Sequence, residues 1–161
     1  MTRSNRKLTQ FAVDKMRQAL IHGPETFVDA VAGNTAVELK ERSHSNKPSH
    51  ELIVNLFDKE ILRVFFGPGN DRAVTGVMIS AGGFYDKKGR PSRTTRERLN
   101  GLLDALGSTG SIPEGVRVFF RDDGACCLGK GDSYKSLDSE NSSSFILSCS
   151  TELLFGKTSQ R

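Results

Sequence analysis

The sequence predicts a single α+β domain. It should hold two N-terminal helices, a mostly antiparallel sheet of six or seven strands, and one further helix packed on a sheet face. Three observations predict this. Apolar residues recur at helical spacing in residues 8–21 and 99–106. Between and after those stretches, short apolar or alternating runs are bounded by Gly, Pro, Asn and Asp, as strands and turns require. A chain of 161 residues with 36% apolar and 26% charged residues is long enough to bury one real core and is not composed like a disordered segment. Residues 1–161 are therefore read as one domain, with 1–6 and 156–161 as frayed ends.

From the N-terminus, Leu8 to Ile21 places Leu8, Phe11, Ala12, Met16, Ala19 and Leu20 on one helical face, and His22-Gly23-Pro24 stops the helix. Pro24 to Ala32 is expected to form a short second helix burying Phe27, Val28 and Val31. Thr35 to Glu41 is a strand, and the polar stretch Arg42 to His50 a loop. Leu52–Phe57 and Glu60–Phe66 form a hairpin around Asp58-Lys59. Gly67 to Asp71 is a turn cluster and Ala73 to Ser80 another strand. Gly82-Gly83 marks a bend. After the helix at 99–106, Val116–Arg121 and Ala125–Leu128 are strands joined by the turn Asp122-Asp123-Gly124. Gly129 to Ser144 reads as a polar loop, and Phe145 to Phe155 as the last strand.

The chain's charge is concentrated in residues 87–98. Six of these twelve residues, Lys87, Lys88, Arg90, Arg93, Arg96 and Arg98, are basic and only Glu97 is acidic, so the segment holds about +5 of a net charge of +4 and the rest is near −1. Local positive charge is the footprint of a polyanion partner. Thr94 and Glu97 read as a capping box opening the helix, and Gly107 as its C-terminal stop. Arg96 and Arg98 then lie in the first helical turn, where a cation opposes the helix dipole by roughly 0.3–1 kcal/mol. A helix N-terminus with an arginine cluster is instead a receptor for phosphate or carboxylate. Arg3, Arg6 and Lys7 would add to it. The structural alternative is a solvated basic loop. Lys88-Gly89-Arg90-Pro91 resembles the core of an AT-hook, with Lys in place of the usual first Arg. That resemblance implies placement in an A·T minor groove.

Arg-Val-Phe-Phe occurs at 63–66 and again at 117–120. In each copy one face is apolar and the other alternates basic and aromatic: Arg63 and Phe65, then Arg117, Phe119 and Arg121. Joined in one sheet and left open, those faces would track phosphates and stack bases. Covered, the aromatics would be core.

Several classes lack their signatures. There is no G-x-S-x-G serine, HExxH, dinucleotide fingerprint or P-loop lysine. Cys126, Cys127 and Cys149 are odd in number and lack a CxxC, which argues against a disulfide framework or structural zinc. No apolar run approaches a membrane span, and the basic N-terminus precedes an amphipathic pattern rather than a signal core, so the expected location is cytoplasmic. Asp122-Asp123 after an apolar strand resembles the metal-binding hairpin of palm-type polymerases as a local pattern, and would suit a metal-dependent nuclease. No cofactor and no metal are expected.

The leading functional expectation is non-catalytic polyanion binding, foremost of nucleic acid, through Lys87, Lys88, Arg90, Arg93, Thr94, Arg96, Arg98, Arg117 and Arg121. The second is a small protein-interaction module, an inhibitor or adaptor of the kind mobile elements use, docking its basic patch on an acidic partner. The nuclease is the third.

Overall fold

In the computed structural model the described residues are 2–44, 47–67, 74–138 and 145–147, with the side chains at 43, 44, 47, 48 and 145–147 left aside. One long helix opens the fold. α1 runs from Arg3 to His22, with Thr2 as N-cap accepting from the Asn5 amide at 3.1 Å. It takes in residues expected to fray, because its first turns lack apolar residues and so carry no periodic signal. Gly23, at φ 98°, ends it as the sequence predicts.

The second N-terminal helix does not form. Pro24–Thr26 makes one 3-10 turn, and Ala30–Ala32 is strand β1. Val28 and Val31, expected in its core face, are exposed. Strand β1 opens an antiparallel meander of β2 (Thr35–His44), β3 (Lys47–Leu56), β4 (Lys59–Phe66) and β5 (Val74–Ile79). The polar stretch 42–50 is thus hairpin rather than loop, apart from 45–46, which lie outside the described residues. Ion pairs across it, Arg42–Glu51 at 2.7 Å and His50–Glu41 at 3.4 Å, stand where apolar pairs would otherwise mark a strand. The β3–β4 turn is Phe57-Asp58, one residue earlier than predicted. The turn cluster expected after Gly67 lies outside the described residues.

Helix α2 (Arg93–Ser108) follows, then β6 (Arg117–Phe120), β7 (Cys126–Lys130), β8 (Ser133–Ser136) and β9 (Phe145–Leu147). β9 adds antiparallel to β5, which completes a six-stranded sheet in the order β1-β2-β3-β4-β5-β9. β6, β7 and β8 form a separate three-stranded antiparallel sheet. β8 occupies part of the stretch read as a polar loop. Residues 148–155 of the expected last strand, and Cys149, lie outside the described residues.

The core joins α1 (Ala12, Met16, Ala19) and α2 (Leu99, Leu102, Leu103, Leu106) to one face of the large sheet (Val37, Leu52, Val54, Leu62, Val64, Val77). Val118, Cys126 and Leu128 of the small sheet belong to the same cluster. A buried leucine in such a setting stabilises by roughly 1.5–3 kcal/mol. α2 is therefore the hinge piece of the architecture, because it touches α1, the large sheet and the small sheet together.

Candidate nucleic-acid interface

The basic segment is a closed turn feeding a helix. Asp86 organises the turn. Its Oδ1 accepts the amides of Lys88 at 2.9 Å and Arg90 at 3.0 Å, and its Oδ2 takes Arg90 Nε at 3.0 Å. The Asp86 amide donates to the Arg90 carbonyl at 2.7 Å, and Gly89 sits in the left-handed region at φ 76°. Beyond this turn, Tyr85 bridges Pro91 and the Ser92 amide donates to the Phe84 carbonyl. The amide of Arg90, then that of Lys88 and the Arg90 guanidinium, hold the Asp86 carboxyl below its ordinary range. The AT-hook-like residues are consequently folded into a turn with Arg90 drawn back onto Asp86, not an extended arm of the kind that enters a groove.

Lys87 and Lys88 stand exposed at the tip of the turn, and among the described residues neither has an ion-pair partner. The other predicted cations have partners. Arg93 is exposed and pairs with Glu97 at 3.2 Å. Arg96 donates to the Pro91 carbonyl at 2.7 Å and lies 3.9 Å from Asp86. Arg117 faces both oxygens of Asp104 at 3.1 Å, and Arg121 lies 3.6 Å from Asp123. These last two pairs are on the surface, where an ion pair contributes only about 0–1 kcal/mol and a phosphate can replace the carboxylate. The Arg93 guanidinium is itself exposed, although Glu97 is largely covered.

Arg98 departs furthest from expectation. It is fully buried, so an external phosphate does not reach it. Its guanidinium donates to Thr9 Oγ1 at 2.9 Å, to Asn5 Oδ1 and to Thr35 Oγ1. Burial lowers its pKa, and the Glu97 charge opposes that shift. Asn5 also donates to Glu97 at 2.6 Å. Burial pushes the Glu97 carboxyl up, but the hydrogen bonds from Asn5 and Arg93 outweigh that and leave it below its usual range. Arg98 thus ties α1, α2 and β2 together from inside.

The capping pattern also differs. Ser92, not Thr94, is the N-cap, with its hydroxyl accepting from the Thr95 amide and lying 2.8 Å from the Thr95 hydroxyl. Thr94 is half-buried inside the first turn. At the other end the helix passes through Gly107, and Gly110 at φ 78° takes the C-terminal role. The Ser111 amide reaches the Leu106 carbonyl and the Gly110 amide reaches that of Gly107, the two bonds of a Schellman closure.

Two aromatic features go beyond the sequence reading, the place of Phe120 and the part of Tyr134 beside the expected Phe119 and Arg121 face. Phe120, assigned to an apolar core face, is 45% exposed. The Arg90 and Arg96 guanidinium carbons lie over its ring, 4.8 and 4.7 Å from the centroid. Phe120 is the last residue of β6, just before the Asp122-Asp123 turn, and that terminal place was the available signal. On the opposite face of the small sheet, Arg121 lies 4.8 Å from the Tyr134 centroid, and Phe119 meets Tyr134 edge-on at 6.0 Å. Arg63 and Phe65 do not join them. β4 and β6 belong to different sheets, and Arg63 is held by Glu60 and Glu51, which raise its pKa against the opposing effect of burial.

Between the basic turn and the β6–β7 turn lies a cleft of about 390 Å³ lined by Lys88, Arg90, Asp123 and Asp138. Asp123 accepts from the Ala125 amide at 3.0 Å, the work of a turn residue. Among the described residues, no three His, Cys, Asp or Glu side chains are grouped to hold a metal ion. Cys126 and Cys127 are buried; burial raises both thiols, that of Cys126 to about 12, so neither is an activated nucleophile. Among the described residues no helix is long and apolar enough to cross a membrane. Compared with protein-family models, curated proteins and solved structures, the chain matches none of them.

Proposed function

We propose that the protein binds nucleic acid without acting on it chemically, through the 87–88 turn and the arginine-bearing edge beside it. The observation that carries this reading is the half-exposed Phe120 ring under Arg90 and Arg96, beside a hydrogen-bonded turn that carries two exposed lysines with no ion-pair partner among the described residues. Lysines at the tip meet phosphates, and a ring with adjoining guanidiniums offers a stacking surface. Lys87 and Lys88 are the primary contacts. Arg93 and Arg121, both exposed, turn from their carboxylate partners to phosphate, while Arg90 and Arg96 hold Phe120 in place. Arg98 has no part in contact.

Fluorescence anisotropy with labelled single- and double-stranded DNA and RNA at several salt concentrations tests this. The expected result is binding at low salt whose salt dependence flattens in the Lys87→Ala/Lys88→Ala double variant. Each lost phosphate contact reduces the slope of log K against log salt by roughly 0.9 on B-DNA. No binding at low salt would overturn the reading and leave an acidic protein surface as the partner for the same turn.

A further inference from the structure

Phe57 is placed where neither backbone nor solvent favours it. The β3–β4 connection is a two-residue turn with positive φ at both positions, 51° at Phe57 and 64° at Asp58. Such turns favour Asn and Gly, which enter the left-handed region with little strain. A bulky side chain there is a true outlier. The ring gains little burial in return, being 57% exposed. Its ring contact is an edge-on meeting with Phe84 at 5.6 Å. A stability-only hairpin would not put phenylalanine here, and strain retained at an exposed position points to use.

The ring borders a cleft of about 190 Å³ shared with Val31, Asn34, Thr35 and Asp58. That is smaller than a drug-sized pocket and suits one planar ring rather than a helix. The polar groups at its rim have defined roles. Arg98 can only donate, so Thr35 Oγ1 accepts from it and turns its own proton to Asn34 Oδ1 at 2.8 Å. The Asn34 amide is thereby oriented, and among the described residues its N–H groups have no acceptor. Asn34 offers donors and the Asp58 carboxylate offers acceptors, the complement of a nucleobase edge that carries both. Phe84 connects the subsite to the basic turn, because its carbonyl accepts from Ser92 at the start of α2, and Lys59 stands exposed beside Asp58.

We propose that Phe57, with Asn34 and Asp58, forms a subsite on which one unpaired base of a single-stranded nucleic acid stacks. This rests on the nucleic-acid reading and deepens it by naming single strands as the preferred form. Two variants test it against the wild type. Phe57→Asn suits the turn better, so its Tm should rise, while single-strand affinity should fall about tenfold with an unchanged salt slope. Phe57→Trp introduces a tryptophan into a chain that has none, and stacking should quench its fluorescence as single strands bind. Wild-type binding with full affinity retained in Phe57→Asn, or no quenching in a Phe57→Trp variant that binds, overturns this subsite and leaves the nucleic-acid reading standing. Wild-type protein that binds no nucleic acid overturns both.

Discussion

The Arg98 guanidinium is satisfied inside the protein by three side-chain oxygens from α1 and β2. Leaving buried polar groups without partners costs about 1–3 kcal/mol each, and arginine supplies donors to all three at once. Arg98→Met should therefore lower the unfolding free energy by about 3 kcal/mol in urea titrations, since it strands Asn5, Thr9 and Thr35 together. Arg98→Lys keeps the charge but not the planar fork, and should fall between. A wild-type midpoint in Arg98→Met would refute the internal role. Asp86 makes a pH prediction of the opposite kind. Its carboxyl pKa is depressed in the fold, so its contribution is present above the unfolded value of about 3.9 and fades as pH falls through the folded pKa. In an NMR titration the Lys88 and Arg90 amide shifts should move together, with a midpoint below about 3.9. Movement centred at or above that value would mean the carboxylate does not hold the turn.

At the scale of elements, α1 and α2 meet at Gly101. A Cβ there would lie 2.4 Å from Thr9 Cγ2, and Thr9 is fixed by its bond to Arg98. Gly→Ala inside a helix ordinarily stabilises by about 1 kcal/mol. Here the contact forces the helices apart, so Gly101→Ala should destabilise by roughly 1–3 kcal/mol, measured as a lowered Tm by circular dichroism. A raised Tm would show that propensity wins and the helices are free to shift. The two-residue turns and caps follow the same logic. Ser92 caps α2 where Thr94 was expected, and Gly110 closes it in place of Gly107, because both patterns are sequence-plausible and only the path of the following chain selects one. A Cβ at Gly107 would approach the Glu114 backbone at 3.3 Å, which gives that glycine a packing reason to lie within the helix.

Over the whole molecule, folding redistributes the charge that the sequence concentrates. Of the six cations in the basic segment, one is interior, two turn onto Asp86 and Phe120, and one pairs with Glu97. Among the described residues Lys87 and Lys88 have no ion-pair partner, and Arg93 and Arg121 are exchangeable. If nucleic acid binds, the salt slope on B-DNA should fall between roughly −2 and −4, short of the approximately −5 that all six cations would give. A slope of −5 or steeper would mean the internal pairs open on binding.

Periodic apolar spacing sufficed for α1, α2 and the central antiparallel strands, because burying one face of a helix or strand is a local demand repeated along the chain. The concentration of charge at 87–98 was equally plain. The sequence stripe Thr95, Arg98, Leu102, Ala105 even held the sign of Arg98's burial, since those positions share the inward face of α2. Yet an arginine at its head reads as a surface cation until Asn5 and Thr9, polar residues on the inward stripe of α1, are brought against it. The hairpin at 42–50, the exposure of Phe57 and Phe120, and the separation of the two Arg-Val-Phe-Phe strands into different sheets likewise depended on contacts between distant segments. Local pattern determines which face of an element is apolar; only the packed chain determines what covers it, and so which charges and rings remain for a partner.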